Sequence, residues 1–254
     1  MAHWRFDEVS GDLAADSSGN GNIGTVFGGA NWTGGPIGGA LDLDGSNDYV
    51  DVGTGGFGLG NEISLSFWVR VDGAGQDSFQ GLLVRSGFVR PFRIELIGDT
   101  LRTALRTTAG TNYLNANTPL QTGQWRHFAM TYQSGSRVLY LNGQPDGSNN
   151  PTGALVVVAD TATHLGARDG AAGSGLLNGA LDDVRIYNRA LSGAEIQSLY
   201  QFGSASQIQS FSEKISGPLD LRPQDLLELI GEFRKSLRPD RGSEILDRSI
   251  HWNP

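Results

Sequence analysis

Gly179-Ala-Leu-Asp-Asp-Val-Arg-Ile-Tyr-Asn-Arg-Ala-Leu191 reads as one strand and its exit. Leu181, Val184, Ile186 and Tyr187 are strand formers. Strict alternation puts Asp182, Val184 and Ile186 on one face. A carboxylate that shares a face with two aliphatic side chains has to be paired, hydrogen-bonded or bound to metal. After Tyr187 the period changes. Ser192 and Glu195 have the spacing of a capping box. They predict a short helix from Ala194 to Tyr200, which Gly203 stops. The chain before this stretch reads as a β domain that the stretch closes, and the chain after Gly203 reads as an appendix.

Working outward, strand signals recur with short turns between them. Ile63, Leu65, Phe67, Val69 and Val71 alternate with Ser64, Ser66, Trp68 and Arg70 and make one face. Trp125 to Tyr132 and Val138 to Gln144 follow, the latter ending at Asn142-Gly143, a strong hairpin signal. Asp16-Ser-Ser-Gly-Asn-Gly-Asn22 is a polar loop dense in turn residues. Glycine supplies 37 of 254 residues without a triplet period, which excludes collagen. With 38% hydrophobic and only 18% charged residues the chain can build a core and is not a disordered polyelectrolyte. These features point to an all-β fold of two packed antiparallel sheets.

The formal net charge is −8, which argues against nucleic acid as a partner and suits cations or neutral sugars. Cysteine is absent, so disulfides, thiolate metal sites and a Cys nucleophile are excluded. No basic stretch followed by an apolar one opens the chain, so no signal peptide is visible, and no apolar run suits a membrane helix.

From about Trp4 to Tyr200 the chain resembles the laminin-G-like, concanavalin-A-like jelly-roll superfamily, nearest to its bacterial and phage modules. The resemblance is carried by Trp4-Arg-Phe-Asp-Glu8, Ala15 to Asn22, Gly38 to Val50, Ser64 to Val69, Trp125 to Tyr132, Leu139 to Gly143 and Leu181 to Ser192. It implies a two-sheet jelly-roll sandwich over residues 1–203; no part of the resemblance covers 204–254, which reads from its own residues as a C-terminal helical extension. It also implies that the Asp16 loop lies beside the first and last strands and shares a calcium with Asp182. Asp16, Asn20 and Asn22 supply side-chain oxygens of the kind calcium takes. The alternative is an Asx-turn loop hydrogen-bonded to Asp182 without metal. Asp42, Asp44, Asp48 and Asp51 read as a solvated turn.

Catalysis has little support. Retaining glycosidases need paired carboxylates, and Ile94-Glu-Leu-Ile-Gly-Asp99 lacks the second Glu, so Glu95 is expected to face solvent and no enzyme is expected. His3, His127, His164 and His251 show no metal or triad spacing, and His127 sits in a core motif. Trp4, Trp68 and Trp125 read as core. For sugar, the candidates are Phe79, Phe88, Phe92, Asn112 and Tyr113 with Arg85, Arg90, Arg93, Arg102 and Arg106, a basic stripe on an otherwise acidic chain. Its alternative is a solvated face of Arg–acid pairs.

Beyond Gly203, Gly203-Ser-Ala-Ser206 reads as a linker break. Pro223 to Leu237 reads as an amphipathic helix whose Leu226, Ile230, Phe233 and Leu237 form one apolar stripe, suited to docking on a protein partner or on a second copy, the alternative being packing on its own sandwich. The expected function is a non-catalytic, calcium-stabilised binding module for glycan or a cell-surface polymer, extracellular or on a virion surface. The alternative is a structural component of a large assembly, such as a virion decoration or tail protein or an extracellular filament subunit.

Overall fold

The structure, a computed structural model, describes residues 1–55, 57–73, 77–86, 90–158, 161–169 and 174–216, with side chains as far as Ala205. The strands are β1 (Ala2–Trp4), β2 (Leu13–Ala14), β3 (Gly24–Phe27), β4 (Asn31–Gly34), β5 (Gly39–Asp44) and β6 (Tyr49–Asp51). Then come β7 (Glu62–Val71), β8 (Phe79–Arg85), β9 (Phe92–Ile97), β10 (Thr100–Thr107), β11 (Gly110–Asn115) and β12 (Trp125–Gln133). The last are β13 (Ser136–Leu141), β14 (Gln144–Asn149), β15 (Thr163–Leu165), β16 (Ala167–Asp169), β17 (Ser174–Leu176) and β18 (Asn178–Tyr187), followed by helix α1 (Gly193–Ser216).

The first sheet runs β14-β13-β12-β7-β18-β5-β4, with β1 also paired to β18. The second runs β11-β10-β9-β8-β15-β6-β3-β2, and β16 and β17 form a separate hairpin. Both sheets are antiparallel throughout. The alternation of β7 is realised: Ile63, Leu65, Phe67, Val69 and Val71 all enter the core between the sheets, with Phe92, Ile94 and Leu96 of β9. Asn142 and Gly143 take positive φ of 50° and 75°, as the β13–β14 turn requires.

Alternation fails at the closing strand. Before Asp182, β18 pairs with β5; after Asp183 it pairs with β1. The register against β7 shifts between Asp182 and Arg185, and Asp183 has φ 51°. Such a bulge adds a residue and flips the side-chain order. Leu181, Val184 and Ile186 therefore all reach the core. Asp182 does not share their face; it pairs with Trp68, whose ring lies under α1.

Helix α1 begins as expected. Ser192 Oγ accepts the Glu195 N–H at 3.3 Å and Glu195 Oε2 accepts the Ser192 N–H at 2.8 Å. Its first turns cover the outer face of the first sheet, where Ile196 and Leu191 pack on Ala129 and Tyr140. It does not stop at Gly203, and residues 203–206 are helix rather than a linker. Gly203 lies against Trp68: a Cβ there would be 2.6 Å from the indole. The glycine therefore serves close approach and not termination. Gly203→Ala would ordinarily stabilise a helix by about 1 kcal/mol. Here it is expected to lower the thermal midpoint, because overpacking costs about 1–3 kcal/mol. A raised midpoint in calorimetry would mean that the helix is not seated on Trp68. Met1–Lys214 forms one compact unit. The tail stripe of Leu226, Ile230, Phe233 and Leu237 lies outside the described residues, as does Phe88.

Candidate functional site

The end of the sandwich where β18 changes neighbours holds the first set of candidate groups. Asp16 Oδ1 accepts the N–H groups of His3 at 3.0 Å and Ser18 at 2.9 Å. Asp16 Oδ2 accepts Asn22 N at 2.9 Å and Asn22 Nδ2 at 2.8 Å. Burial works against its charge, but these hydrogen bonds from Ser18, Asn22 and His3 outweigh it and hold the carboxyl well below the usual range. The side-chain amides of Asn20 and Asn22 both donate to Met1 O at 3.1 Å. The loop is thus an Asx-type knot whose polar groups already satisfy one another.

Asp182 stands elsewhere. It is fully buried; its Oδ2 accepts Ile37 N at 2.8 Å, and its Oδ1 has no hydrogen-bond partner. Burial, with the charges of Asp183 and Asp7, pushes this carboxyl up to about 8, against the Ile37 hydrogen bond. Asp7 accepts Gly39 N at 2.8 Å on the same turn, and a Cβ on Gly35 would lie 2.7 Å from Asp182 Oδ2 and 2.4 Å from Gly39 O. The closing-strand aspartate that reaches toward the Asp16 loop is Asp183, through His3 Nε2 at 2.6 Å. The structure therefore divides the expected set: Asp16, Asn20 and Asn22 lie together, and Asp182 lies under the turn before β5. Among the described residues no group of three or more His, Cys, Asp or Glu side chains converges as a metal site. Asp48, expected in a solvated turn, is buried and accepts Asp44 N at 3.0 Å.

The second set lies on the outer face of the second sheet. Phe92, Ile94 and Leu96 point inward, so Arg93 and Glu95 point out. The register sets Arg102 opposite Glu95, and Ala104 between Arg93 and Tyr113. Arg168 joins them because the β16–β17 hairpin lies on Gly81, where a Cβ would be 2.3 Å from Ala167 C and Arg168 N. Glu95 is fully buried, not solvent-facing. Arg102 Nη2 lies 2.9 Å from it, Arg168 Nε 3.1 Å and Arg93 Nη1 3.6 Å. Arg93 Nη2 donates to Tyr113 Oη at 3.0 Å. The Arg102 guanidinium lies 5.1 Å from the ring of Phe79 and 4.9 Å from that of Tyr113, and Arg168 lies 4.7 Å from Phe79. Tyr113 is 51% exposed.

The other candidates scatter. Arg85 is fully buried and donates to Gly55 O at 2.6 Å, Val158 O at 2.9 Å and Thr161 Oγ1 at 2.9 Å, so it braces loops and faces no ligand. Phe92 is core. Arg90 sits 3.9 Å from Asp169, Arg106 donates to Thr111, and Asn112 donates to Thr107 and Gly110. Sequence reasoning missed Arg168, for which it held no signal, because only the hairpin's seat on Gly81 brings it there. It also missed Phe27, stacked on Tyr49 at 4.9 Å on the same outer face, with His164 edge-on to Tyr49. Val26 and Val50 pointing into the core was the legible signal for that pair.

The Concanavalin A-like lectin/glucanases superfamily matches residues 44–197, and the chain belongs to it. Domain 4 of AbnA, a GH43 extracellular arabinanase from Geobacillus stearothermophilus, solved with arabinotriose, superposes with TM-score 0.61 at 24% identity, covering 79% of this chain and 97% of that one. The botulinum neurotoxin serotype G binding domain superposes with TM-score 0.63 at 16% identity, covering 80% of this chain and 51% of that one. The binding domain of Paraclostridial Mosquitocidal Protein 1 gives 0.61 at 19%, covering 78% and 51%. The chain thus spans about half the length of the two toxin domains. No curated protein sequence matches the chain.

Proposed function

We propose that this chain is a non-catalytic binding module for glycan or a cell-surface polymer, acting outside the cell or on a virion surface. The observation that carries this reading is the convergence of Arg93, Arg102, Arg168, Phe79 and Tyr113 on one sheet face. Aromatic rings with a few fixed polar groups are what a sugar needs. The relatives named for arabinotriose and for binding are consistent with it. Glu95 is held by three guanidiniums, an arrangement suited to positioning cations rather than to acid–base chemistry.

A calcium ion belongs to the same proposal. Asp16 fits it poorly, with four N–H donors on its two oxygens. Asp182 fits it better, since its Oδ1 is buried without a partner; Asp7, whose oxygens now take Gly39 N and Arg5 Nε, lies on the same turn and would have to exchange these partners for the ion. Asp182 and Asp7 would hold the ion, which would supply charge neutralisation and rigidity to the turn before β5.

On a glycan array the chain is expected to retain a subset of oligosaccharides, and Tyr113→Ala to lose them by about tenfold or more, as for a stacking side chain worth 1–3 kcal/mol. No turnover of β-glucan or galactan is expected. Hydrolysis that disappears in Glu95→Gln, or an array with no retained glycan, would sink the reading.

A further inference from the structure

Three cations surround Glu95, and one carboxylate cannot neutralise them; Arg93, Arg102 and Arg168 leave an excess of two positive charges on a chain of net charge −8. They are also short of acceptors. Arg93, 8% exposed, and Arg102 both have a buried Nε without a hydrogen-bond partner. Buried donors without acceptors are costly, and a guanidinium is the group best shaped for a planar or tetrahedral oxyanion. The cluster is not closed off: the side chains of Arg102 and Arg168 keep 22% and 32% of their exposure, and Tyr113 flanks them as an open ring. From this unbalanced, donor-rich cluster we propose that the ligand is an acidic glycan, whose carboxylate or sulfate sits on Arg93, Arg102 and Arg168 while a sugar ring lies on Tyr113. The inference rests on the glycan-binding reading and narrows it to one ligand class.

In this arrangement Glu95 is an internal anion that orients the three guanidiniums and competes with the ligand. Removing its charge should therefore strengthen binding, an effect that loss of folding cannot imitate. The experiment is titration calorimetry on the full chain with oligogalacturonate, with a sulfated galactan oligosaccharide and with neutral galactan and arabinan oligosaccharides, at low and at threefold higher salt. The acidic ligands are expected to bind at least tenfold more tightly than the neutral ones, and to weaken with salt. Whichever of carboxylate and sulfate binds more tightly identifies the group. Arg168→Gln should cut acidic binding about tenfold, and Glu95→Gln should raise it at least threefold, each moving the ratio of acidic to neutral affinity in the same direction. Equal affinity for acidic and neutral ligands, or a Glu95→Gln chain that folds but binds acidic ligand no better, overturns the acidic-ligand inference and leaves the binding module standing. Failure of every glycan to bind overturns both.

Discussion

In EDTA, Asp182→Asn is expected to melt above the parent chain and to show no response to millimolar calcium. The substitution keeps the shape of the side chain and the oxygen that accepts Ile37 N. It removes the cost of holding this carboxyl protonated at neutral pH, since burial pushes it up to about 8 and its second oxygen has no partner. An unsatisfied buried polar group costs roughly 1–3 kcal/mol, and more when charged. On the calcium proposal the parent chain would recover this by binding the cation, so calcium should raise its midpoint. At a hundredfold excess over Kd the gain is about 2.7 kcal/mol, roughly 5–10 °C for a domain of this size. Asp7→Asn should reduce the calcium shift in part, because Asp7 is exposed and already accepts Gly39 N. Asp16→Asn should destabilise the chain with and without calcium alike, because it breaks the knot that holds His3, Ser18 and Asn22. Identical parent midpoints in EDTA and calcium would remove the ion; a calcium shift lost in Asp16→Asn but kept in Asp182→Asn would return it to the Asp16 loop.

Those assignments show where sequence is readable and where it is not. The alternation of β7 and the Asn142-Gly143 turn are local: each residue's environment follows from its own neighbours, and both are realised. The family resemblance to a concanavalin-A-like sandwich is likewise realised. Asp182 is different, because its face depends on β18 exchanging β5 for β1, a decision made by strands more than a hundred residues away. A bulge carries no composition signal when its left-handed residue is an aspartate, as Asp183 is. Gly203 carries the right signal with the wrong meaning: glycine marks both helix ends and close contacts, and only the Trp68 ring distinguishes them. Glu95 and Arg85 have the period of outward and inward strand positions, but period does not reveal that a hairpin covers one and that loops coordinate the other.

The most acid-labile part of this fold is expected to lie beneath α1, at His127. The imidazole is 1% exposed, shares a 2.9 Å hydrogen bond between Nε2 and Ser66 Oγ, and has a buried Nδ1 without a partner. Trp68 lies 5.3 Å from its ring and Tyr200 of α1 6.2 Å. Burial pushes its pKa down to about 3; the charge of Asp183 opposes this and that of Arg185 assists it. In the unfolded chain the same group titrates near 6.5. Between those values the unfolded state binds the extra proton, so stability falls as the pH falls. The contribution of His127 is fully present above about pH 6.5 and is lost progressively toward pH 3. One proton is worth about 1.4 kcal/mol per pH unit. From pH 6.5 to 4.5 the loss is therefore roughly 2–3 kcal/mol, or about 5–10 °C in the midpoint. His127→Gln keeps a polar side chain of similar reach with no proton to gain. It is expected to start less stable at pH 7 and to change little down to pH 4.5, where carboxylates begin to titrate in both chains. In the parent, the His127 imidazole resonances should stay those of the neutral ring from pH 7 to 4.5. Equal pH slopes in the two chains, or a ring that titrates near 6.5 while the domain remains folded, would show that α1 does not seal this histidine from water.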